Sequence, residues 1–375
     1  MALEARKNNR KERVLVGMSG GVDSSLSAAL LKEQGYEVIG ITLRLYDYEE
    51  SLEEVAFEKK DCHPMSFIEE AKNVAQQLGI EHHVIDHRQA FRELIITPFQ
   101  KDYAAGKTPL PCVRCNRDVK TAILYRMMID MEANFMATGH YVRGMKVGSV
   151  MQLHQGADLT RDQSFFLFGL TTEQLAHLVF PLGHFSKTQT RAFSAERGLS
   201  VASKAASKDL CFVSKRTYHT FVQEAPGDIV NQEGRILGRH KGIGFYTIGQ
   251  RQGLGLGGLK EALYVVHVDA YTHQVVVGPY SALAQHSFDI ESINWLAPDI
   301  SLQDSVDLSA KIRSSGRLFS ATLSASDGIG HVRLQQSEHG IAQGQACVFY
   351  SGTRLLGGGW ISGSRGGSAP LEQIG

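Results

Sequence analysis

The sequence predicts an α/β protein in which an N-terminal, doubly wound parallel sheet precedes two small β-rich domains, the last of them a β-barrel. Two observations lead to this fold class. Over the first two hundred residues, short apolar runs alternate with helical patterns, as in a parallel sheet with helices on both faces. Past about residue 205 the apolar runs shorten and glycines separate them, which is typical of antiparallel sheets. We therefore expect domains at 1–205, 206–284 and 285–365.

The elements of the first domain follow from apolar runs and from helix end signals. Four apolar runs bounded by turn residues predict strands at 13–17, 38–45, 82–86 and 134–139. The runs DSSLSAALLKEQG and SFIEEAKNVAQQLG predict helices over 23–35 and 66–79, each ending at a glycine. Ser66 and Glu69 have the spacing of a capping box, so the second helix is expected to start there.

The two later domains are predicted from short runs of β type. In the middle domain these are GIGFYTIG at 242–249 and LYVVHVDAYTHQVVVG at 263–278, the second of which predicts a hairpin. In the last domain, six runs punctuated by turn residues predict strands at 287–293, 306–313, 317–323, 331–335, 345–350 and 354–361. Six such strands suit a small barrel or a sandwich.

Composition limits the function. Lys and Arg number 39, as do Asp and Glu, so the net charge is zero and any binding of nucleic acid must come from local basic patches. The opening stretch MALEARKNNRKER lacks the apolar core of a secretory signal, and no later run is long enough to cross a bilayer. We therefore expect a cytoplasmic protein without membrane contact. In that compartment, five irregularly spaced cysteines favour catalytic, redox or metal roles over a disulfide framework.

The stretch GMSGGVDSS at 17–25 predicts a phosphate-binding loop. It follows the first strand and opens the first helix, whose positive end attracts anions. Gly20 and Gly21 let the backbone approach a phosphate, and the serines add hydroxyl donors. Asp23 suits a site in which Mg²⁺ bridges a carboxylate and phosphates. No GxxxxGK[ST] motif occurs in the sequence, so the loop lacks the phosphate-binding lysine of that motif.

Three of the five cysteines lie among basic residues. Cys112 and Cys115 come before the helical run VKTAILYRMMIDM, with three cations nearby: Arg114, Arg117 and Lys120. Cys211 has a comparable setting, formed by Lys208, Lys215 and Arg216. Positive charge and a helix N-terminus both favour the thiolate, so these thiols are candidate nucleophiles. Cys347 lies in an apolar strand pattern and is expected in a core, whereas Cys62 beside His63 is expected to be incidental.

The phosphate loop resembles that of the PP-loop ATP pyrophosphatases, which implies an adenine nucleotide hydrolase-like first domain and cleavage of ATP to AMP and pyrophosphate. Over nearly the whole chain the sequence also resembles the bacterial tRNA-specific 2-thiouridylases, which exchange oxygen for sulfur at carbon 2 of the wobble uridine. The resemblance rests on several stretches in the same order: GMSGGVDSS, the CN..VK segment at 115–120, ATGHYVR, RDQSFFL, DLCFV, GIGFYTIGQRQGLG, GQACVFY and LLGGGWI.

Taken position by position, the resemblance implies three sets of functional residues. The ATP site comprises Gly17, Met18, Ser19, Gly20, Gly21, Val22, Asp23, Ser24, Leu43 and Gly139. Cys115 matches the catalytic nucleophile, and Cys211 matches the cysteine that carries a persulfide. The target base is contacted by Leu110, Pro111 and Cys112, and the remainder of the tRNA by Arg161, Asp162, Gln163, Arg313 and Ser314. No metal is expected beyond Mg²⁺ that arrives with ATP near Asp23.

The resemblance also implies the reaction. ATP converts the carbonyl oxygen at C2 of the uridine into an adenylate, and persulfide sulfur from Cys211 replaces it to give 2-thiouridine, AMP and pyrophosphate. Attack by Cys115 leaves a transient Cys115–Cys211 disulfide, which an external reductant resets. The implied partners are tRNA, whose anticodon loop exposes the uridine, and a sulfur donor such as a cysteine desulfurase or a sulfur-relay protein.

Three other interpretations remain open. Cys112, Cys115 and Cys211 could bind an iron–sulfur cluster that carries sulfide, although such sites more often have a denser cysteine pattern. A PP-loop amidoligase would use the phosphate loop and neither thiol. A binding module without catalysis would use only the β-rich domains to hold RNA.

Two positions depart from the pattern of the 2-thiouridylases. Some relatives have an aspartate where this chain has Cys112, so an acid–base role of that carboxylate does not transfer. A lysine often precedes the DQS tripeptide, where this chain has Arg161, which keeps the charge and changes the donor geometry. The polar stretch 46–64 is an insertion to which no role is assigned.

Overall fold

The structure is a computed structural model that describes residues 11–46, 64–204, 210–213, 221–222, 225–258 and 261–363. Cys62, most of the polar stretch 46–64 and most of the basic N-terminal tail lie outside the described residues. The chain divides into two compact units. The first comprises Met1–Arg92 and Cys115–Lys208, and the second comprises Glu93–Arg114 and Asp209–Gly375.

The helices are short. In chain order the bounded α-helices are α1 Val22–Glu33, α2 Pro64–Leu78, α3 Arg88–Phe91, α4 Thr97–Ala104, α5 Pro111–Arg114, α6 Ala122–Asp130, α7 Thr172–Ala176 and α8 Lys187–Glu196. π-Helical turns occupy Arg92–Ile96 and Cys115–Thr121. Among the described residues, no helix is long and apolar enough to cross a membrane.

The strands, in chain order, are β1 Arg13–Gly17, β2 Glu37–Arg44, β3 Glu81–Asp86, β4 Phe135–Ala137, β5 Val142–Val147, β6 Val150–Gln155, β7 Leu178–Val179, β8 Gly227–Asn231, β9 Ile236–His240, β10 Tyr264–Asp269, β11 Gln274–Gly278, β12 Ala284–Trp295, β13 Val306–Lys311, β14 Phe319–Ser326, β15 Ile329–His339, β16 Ala346–Ser351 and β17 Arg354–Gly363.

The first unit contains a parallel sheet in the order β3-β2-β1-β4-β7. Val14, Leu15 and Val16 of the central strand β1 are fully buried, as expected for a continuous apolar run in a parallel sheet. The helices α1, α2 and α6 pack on this sheet. The four predicted strands are therefore confirmed, each within two residues of its expected bounds. The two-residue strand β7 and the antiparallel hairpin of β5 and β6 were not predicted.

Both predicted helices of this unit are present, but the predicted capping box is wrong. The helix α2 begins at Pro64, so Ser66 and Glu69 lie inside it. Proline is favoured in the first turn of a helix because its missing N–H would have no partner there. Glu69 instead forms an exposed ion pair with Lys72 at 2.9 Å.

The second unit contains a four-stranded sheet in the order β10-β11-β8-β9. The antiparallel pairing of β10 with β11 confirms the predicted hairpin. The prediction of a β-type run at 242–249 is wrong, because Ile243–Phe245 forms a 3-10 turn. The N–H groups of Phe245 and Tyr246 bond back to the carbonyl oxygens of Gly242 and Ile243, so they are not offered to a neighbouring strand.

The strands β12 to β17 form a closed antiparallel barrel in the order β12-β15-β14-β13-β16-β17, with β17 paired back to β12. Alternate side chains fill its core, for example Phe288 and Ile290 of β12. The barrel predicted from six punctuated runs is therefore confirmed. Cys347 lies in the same core, as expected, and burial raises the pKa of its thiol.

Candidate active site

The candidate nucleotide site lies where the order of the parallel sheet reverses. The chain runs from β1 outward to β2 and β3, and then returns to place β4 on the other side of β1. The carboxyl ends of β1 and β4 therefore border a crevice, which is where open α/β sheets bind ligands. The loop 18–21 follows β1 at this edge, and the loop 138–141 follows β4.

The loop between β1 and α1 is held in shape by its own hydrogen bonds. Gly20 has a φ of 67°, and a β-carbon there would lie 2.2 Å from the backbone oxygen of Phe67, so angle and space both require glycine. The Ser24 hydroxyl accepts a hydrogen bond from the Ser19 N–H at 3.1 Å and donates to the Gly21 carbonyl oxygen at 3.2 Å. The predicted phosphate donors Ser19 and Ser24 are thus also engaged in shaping the loop.

Two further predicted ATP positions lie at the same edge of the sheet. A β-carbon on Gly139 would lie 2.8 Å from the backbone nitrogen of Ser24, so the loop after β4 packs directly on the start of α1. Leu43 is half-buried near the end of β2. Its neighbour Thr42 donates to the Met18 carbonyl oxygen at 2.8 Å, which ties β2 to the phosphate loop.

The carboxylate of Asp23, near the start of α1, is bound by groups from distant parts of the first unit. Lys187 Nζ lies 2.6 Å from one carboxylate oxygen and 2.7 Å from the other. The Tyr141 hydroxyl donates to Oδ1 at 2.7 Å, and Thr190 Oγ1 lies 2.9 Å from the same phenol oxygen. Burial and the adjacent carboxylate raise the pKa of Tyr141, so the phenol stays protonated at neutral pH.

Sequence reasoning missed Lys187 and Thr190. Both lie in the first turn of α8, three residues apart and therefore on one face of the helix. The sequence signal near these residues is the capping box of Ser186 with Gln189. It predicts that a helix starts there, but it does not indicate which residues that helix contacts.

A second lysine contacts the same loop. Lys204 Nζ donates to the Gly20 carbonyl oxygen at 3.2 Å and forms an ion pair with Glu70 of α2. It also lies 4.0 Å from the centroid of the Phe67 ring. Lys204 therefore links the loop to α2.

His140, next to Gly139, is an uncharged member of the site. Its Nδ1 lies 2.8 Å from the Thr138 hydroxyl. Burial, and after it the positive charge of Lys120, together lower the pKa of His140 to about 3. His140 is therefore neutral at physiological pH and does not supply a cation for phosphate.

Cys115 begins the π-helical turn Cys115–Thr121, directly after α5. The helical stretch therefore starts at Pro111, so the prediction that both Cys112 and Cys115 precede the helix is wrong. Proline explains the earlier start, because it is favoured at the first helical position. Cys115 is 5% exposed.

The residues after Cys115 belong to the first unit and make hydrogen bonds and ion pairs within it. The Asn116 side chain donates to the Phe166 carbonyl oxygen at 3.1 Å. Arg117 forms an ion pair with Asp118 at 2.6 Å, which offsets part of the positive charge expected to favour the Cys115 thiolate.

The segment before Cys115 belongs to the second unit and is held by the barrel and the loop before β16. The Thr108 N–H donates to the Gln343 carbonyl oxygen at 2.8 Å, and the Thr108 carbonyl oxygen accepts from Gln345 Nε2 at 3.0 Å. Arg114 lies over the Trp360 ring, 5.3 Å from its centroid. These contacts fix the positions predicted to contact the target base: Leu110, Pro111 and Cys112.

Cys211 is exposed in the second unit, whereas the next residue, Phe212, is buried. Phe212 packs edge-on against Phe99 of α4, with ring centroids 5.3 Å apart, and against Phe221 at 5.7 Å. The thiol thus lies on a segment anchored by an aromatic cluster. The three cations predicted to favour its thiolate, Lys208, Lys215 and Arg216, lie outside the described residues.

Two of the predicted tRNA contacts in the first unit make internal hydrogen bonds. Asp162 accepts from the N–H groups of Gly156 and Ser164 at 3.0 and 3.1 Å. Gln163 accepts from the Tyr141 N–H at 3.0 Å. Arg161 is exposed, so it offers the most accessible side chain of the RDQ tripeptide.

The predicted tRNA contacts in the barrel lie beside an aromatic stack. Arg313 Nη2 donates to the carbonyl oxygens of His339 and Gly340, both at 2.8 Å. The His339 ring stacks on Tyr280 with centroids 4.2 Å apart and planes 8° apart. Ser314 is exposed. Among the described residues, no group of three or more His, Cys, Asp or Glu side chains is placed to hold a metal ion.

Three known families match consecutive stretches of the chain. Residues 12–215 match the family described as tRNA methyl transferase HUP domain. Residues 215–279 match the tRNA methyl transferase PRC-barrel domain, and residues 285–361 match the aminomethyltransferase β-barrel domain.

Curated relatives resemble the chain over nearly its whole length. The tRNA-specific 2-thiouridylase MnmA of Paracoccus denitrificans is 46% identical over 365 residues, which cover 95% of this chain and 92% of the relative. The protein of the same name from Roseobacter denitrificans is 45% identical over 93% of this chain and 94% of its own length. The one from Brucella suis is 45% identical over 94% of this chain and 90% of its own length. Among solved structures, NMN synthetase from Francisella tularensis aligns over 53% of this chain and 67% of its own chain, at 16% identity and a TM-score of 0.34.

Proposed function

The chain belongs to the family of tRNA-specific 2-thiouridylases, and on that premise we propose that it works through ATP bound at the phosphate loop and a persulfide carried by Cys211. It is a sulfurtransferase that modifies tRNA and forms 2-thiouridine. The observation that carries the proposal for ATP is the shaped loop at the point where the sheet order reverses. Since the substrate is tRNA, we place the activity in the cytoplasm.

We propose three domains, at 1–205, 206–284 and 285–365. Three consecutive family matches support their number and order. In this scheme the first domain binds ATP, the second carries the persulfide cysteine and the third contacts tRNA.

The proposed ATP site consists of Gly17 to Ser24, Leu43 and Gly139. Its support is that these residues lie at the carboxyl edge of the parallel sheet and that α1 directs its N-terminus there. Backbone N–H groups at the start of a helix stabilise phosphate charge without the lysine of a GxxxxGK[ST] loop.

Asp23 fits a Mg²⁺ ion brought by ATP. Two carboxylate oxygens offer about four lone-pair positions, and Tyr141 and Lys187 occupy three of them, two on Oδ1 and one on Oδ2. Counting the contacts of the described residues, one position on Oδ2 is left for the ion, and Mg²⁺ characteristically takes one or two carboxylates together with phosphates. When bound, the ion neutralises charge on the phosphates.

In the first step, the carbonyl oxygen at C2 of the uridine attacks the α-phosphorus of ATP. A bond forms between that oxygen and the phosphorus, the bond between the α-phosphorus and the bridging oxygen breaks, and pyrophosphate departs. The resulting adenylate turns a poor leaving group into AMP.

In the second step, the terminal sulfur of the Cys211 persulfide becomes bonded to C2 as AMP leaves. The Cys115 thiolate attacks the inner sulfur of the persulfide and takes over the bond to Cys211, so a Cys115–Cys211 disulfide remains. A dithiol reductant then supplies two electrons and two protons to restore both thiols. The burial of Cys115 supports this role, because it shields the nucleophile from unrelated oxidants.

A sulfur donor must recharge Cys211 in each cycle. We propose a persulfide-bearing protein such as a cysteine desulfurase or a sulfur-relay protein. The exposure of Cys211 supports direct transfer, since a protein donor must bring its own sulfur into contact with the thiol.

We propose that Leu110, Pro111 and Cys112 contact the extruded uridine, and that the tRNA lies on Arg161, Asp162, Gln163, Arg313 and Ser314. Exposed cations at 161 and 313 support phosphate contact. The stacked Tyr280 and His339 rings beside Arg313 support contact with unpaired bases, which stack on aromatic side chains.

The test combines the cysteine variants with two readouts, 2-thiouridine measured by mass spectrometry and AMP released in a single turnover with tRNA. Cys115→Ser and Cys211→Ser should each lower 2-thiouridine formation by about 10³-fold or more, because each removes a reacting sulfur. The matched variant Cys112→Ser should lower it by only about tenfold, since this thiol contacts the base without reacting. All three variants should still bind ATP.

Full turnover in Cys115→Ser or Cys211→Ser would contradict the persulfide scheme. A stoichiometric iron–sulfur cluster in anaerobically purified protein, required for activity, would also contradict it. Unchanged 2-thiouridine in tRNA from cells that lack the protein would contradict the assigned reaction.

A further inference from the structure

A lysine from a distant part of the sequence, Lys187, contacts the phosphate loop, whose own motif contains no lysine. Lys187 Nζ contacts both carboxylate oxygens of Asp23, at 2.6 and 2.7 Å. Asp23 lies in the first turn of α1, where the loop and the helix N-terminus meet. The ammonium group therefore already reaches the place where the proposed function puts the phosphates of ATP.

The surroundings hold Lys187 in that place. Its side chain is 12% exposed, and the ammonium lies 5.8 Å from the centroid of the Tyr141 ring. Three residues further along α8, Thr190 Oγ1 lies 2.9 Å from the Tyr141 hydroxyl that binds Asp23. The start of α8 is therefore docked on the start of α1 through Asp23, Tyr141 and Thr190.

The charges of this pair matter for a phosphate ligand. Asp23 and Lys187 neutralise each other, so a largely buried lysine has its counter-charge. The triphosphate of ATP carries several negative charges, and backbone N–H groups offset only part of them. A lysine ammonium is a compact charge on a flexible stem with three donors, so it can bind a phosphate oxygen as well as a carboxylate.

The other lysine at the loop is placed differently. Lys204 donates to the Gly20 carbonyl oxygen and pairs with Glu70, so its contacts join the loop to α2. Lys187 contacts Asp23, whose carboxylate is the proposed Mg²⁺ ligand. Transfer of Lys187 to a phosphate would free one lone-pair position on Oδ1 and one on Oδ2 of Asp23 for the ion, while Tyr141 keeps its bond to Oδ1.

We propose that Lys187 is the phosphate-binding lysine of this enzyme: when ATP binds, it exchanges its contact with Asp23 for contacts with the β- and γ-phosphates. This inference rests on the proposed ATP site. Bound there, Lys187 stabilises the charge that develops on pyrophosphate as the bond to the α-phosphorus breaks.

The test is calorimetric binding of ATP, AMP and pyrophosphate to the full chain in the presence of Mg²⁺. Lys187→Gln should lose about 10- to 100-fold in affinity for ATP and for pyrophosphate, as expected for removing a charge-assisted hydrogen bond. Its affinity for AMP should stay unchanged, because AMP lacks the β- and γ-phosphates. Lys187→Arg, which keeps the charge and the partner of Asp23, should recover part of the ATP affinity.

Two matched variants separate this role from a structural one. Lys204→Gln should change the affinities for ATP and AMP by the same factor, because it acts on the loop as a whole. Lys72→Gln removes a surface cation of α2 and should change neither. Thermal midpoints of all variants establish that they are folded, and Lys187→Arg provides the test if Lys187→Gln does not fold.

Equal affinity of Lys187→Gln and the unaltered chain for ATP would overturn this inference and leave the proposed function intact. Parallel losses for ATP and AMP would also overturn it, since they would show that Lys187 only positions α8. Failure of the unaltered chain to bind ATP would overturn the proposed ATP site and this inference with it.

Discussion

Gly139 lies so close to Ser24 that a β-carbon on it would fall 2.8 Å from the Ser24 backbone nitrogen. Backbone atoms on both sides leave little room for adjustment. We therefore expect Gly139→Ala to lower the free energy of unfolding by about 1–3 kcal/mol, as overpacking does. Because the clash pushes on the start of α1, ATP affinity should fall as well. Thermal melting and calorimetry measure the two effects, and a variant with both unchanged would contradict the packing described for this edge.

Gly21, in the phosphate loop, has room for a β-carbon, unlike Gly139. Among the described residues, a β-carbon there would meet only the Ser19 hydroxyl, at 3.5 Å, and the backbone is in the ordinary extended region with a φ of −102°. Gly21→Ala should therefore leave the thermal midpoint nearly unchanged. If the Gly21 backbone approaches a phosphate, ATP affinity should fall by about tenfold, because the added methyl group occupies that approach. Normal ATP affinity would place the phosphates away from Gly21.

Phe212 anchors the segment that carries Cys211. It is buried and packs against Phe99 and Phe221, so Phe212→Ala should cost about 3 kcal/mol of stability in the second unit. We expect the rate of sulfur transfer to fall because the thiol loses its fixed position, while ATP affinity stays normal. Phe212→Leu keeps most of the buried volume and should retain most of the rate. Equal rates for both variants would show that the cluster does not position Cys211.

The contact of Arg114 with Trp360 links the segment that we propose to contact the base to the barrel. The guanidinium lies 5.3 Å from the ring centroid, and such a contact contributes about 0.5–1 kcal/mol at a partly exposed site. Arg114→Ala, Trp360→Leu and the double variant form a cycle that measures this coupling. Both single variants should slow 2-thiouridine formation at saturating ATP, because Leu110 to Cys112 lose an anchor. Additive effects on the rate would mean that the two side chains act independently.

The sheet and the barrel could be predicted because their signals are local. Val14 to Val16 form an uninterrupted apolar run between polar residues, and each barrel run is bounded by its own turn residues. The start of α2 could not be predicted in this way. The spacing of Ser66 and Glu69 is typical of a helix start. Pro64, two residues earlier, is also favoured at a helix start, and the helix begins there instead.

Without the family resemblance, the candidate site could be interpreted from the sequence only where its residues are contiguous. The loop 17–24 forms one stretch that can be interpreted directly, whereas Lys187 reaches Asp23 across 164 positions. Gln345 likewise reaches Thr108 across 237 positions. Both contacts depend on which elements pack together, and periodicity and capping signals carry no information about that.

His140 predicts how stability depends on pH. Burial, together with the charge of Lys120, lowers the pKa of His140 to about 3 in the folded protein, against roughly 6.5 in the unfolded chain. Between these values the unfolded chain holds one proton more, so the free energy of unfolding should decrease as the pH falls through this window, by at most about 1.4 kcal/mol per pH unit. His140→Asn lacks the titrating group, so its thermal midpoint should fall less than that of the unaltered chain between about pH 7 and pH 5. The pKa of His82 is also lowered by burial, but His82 is present in both proteins and its effect cancels in the comparison. Parallel pH profiles for the two proteins would show that His140 is protonated as readily in the fold as outside it.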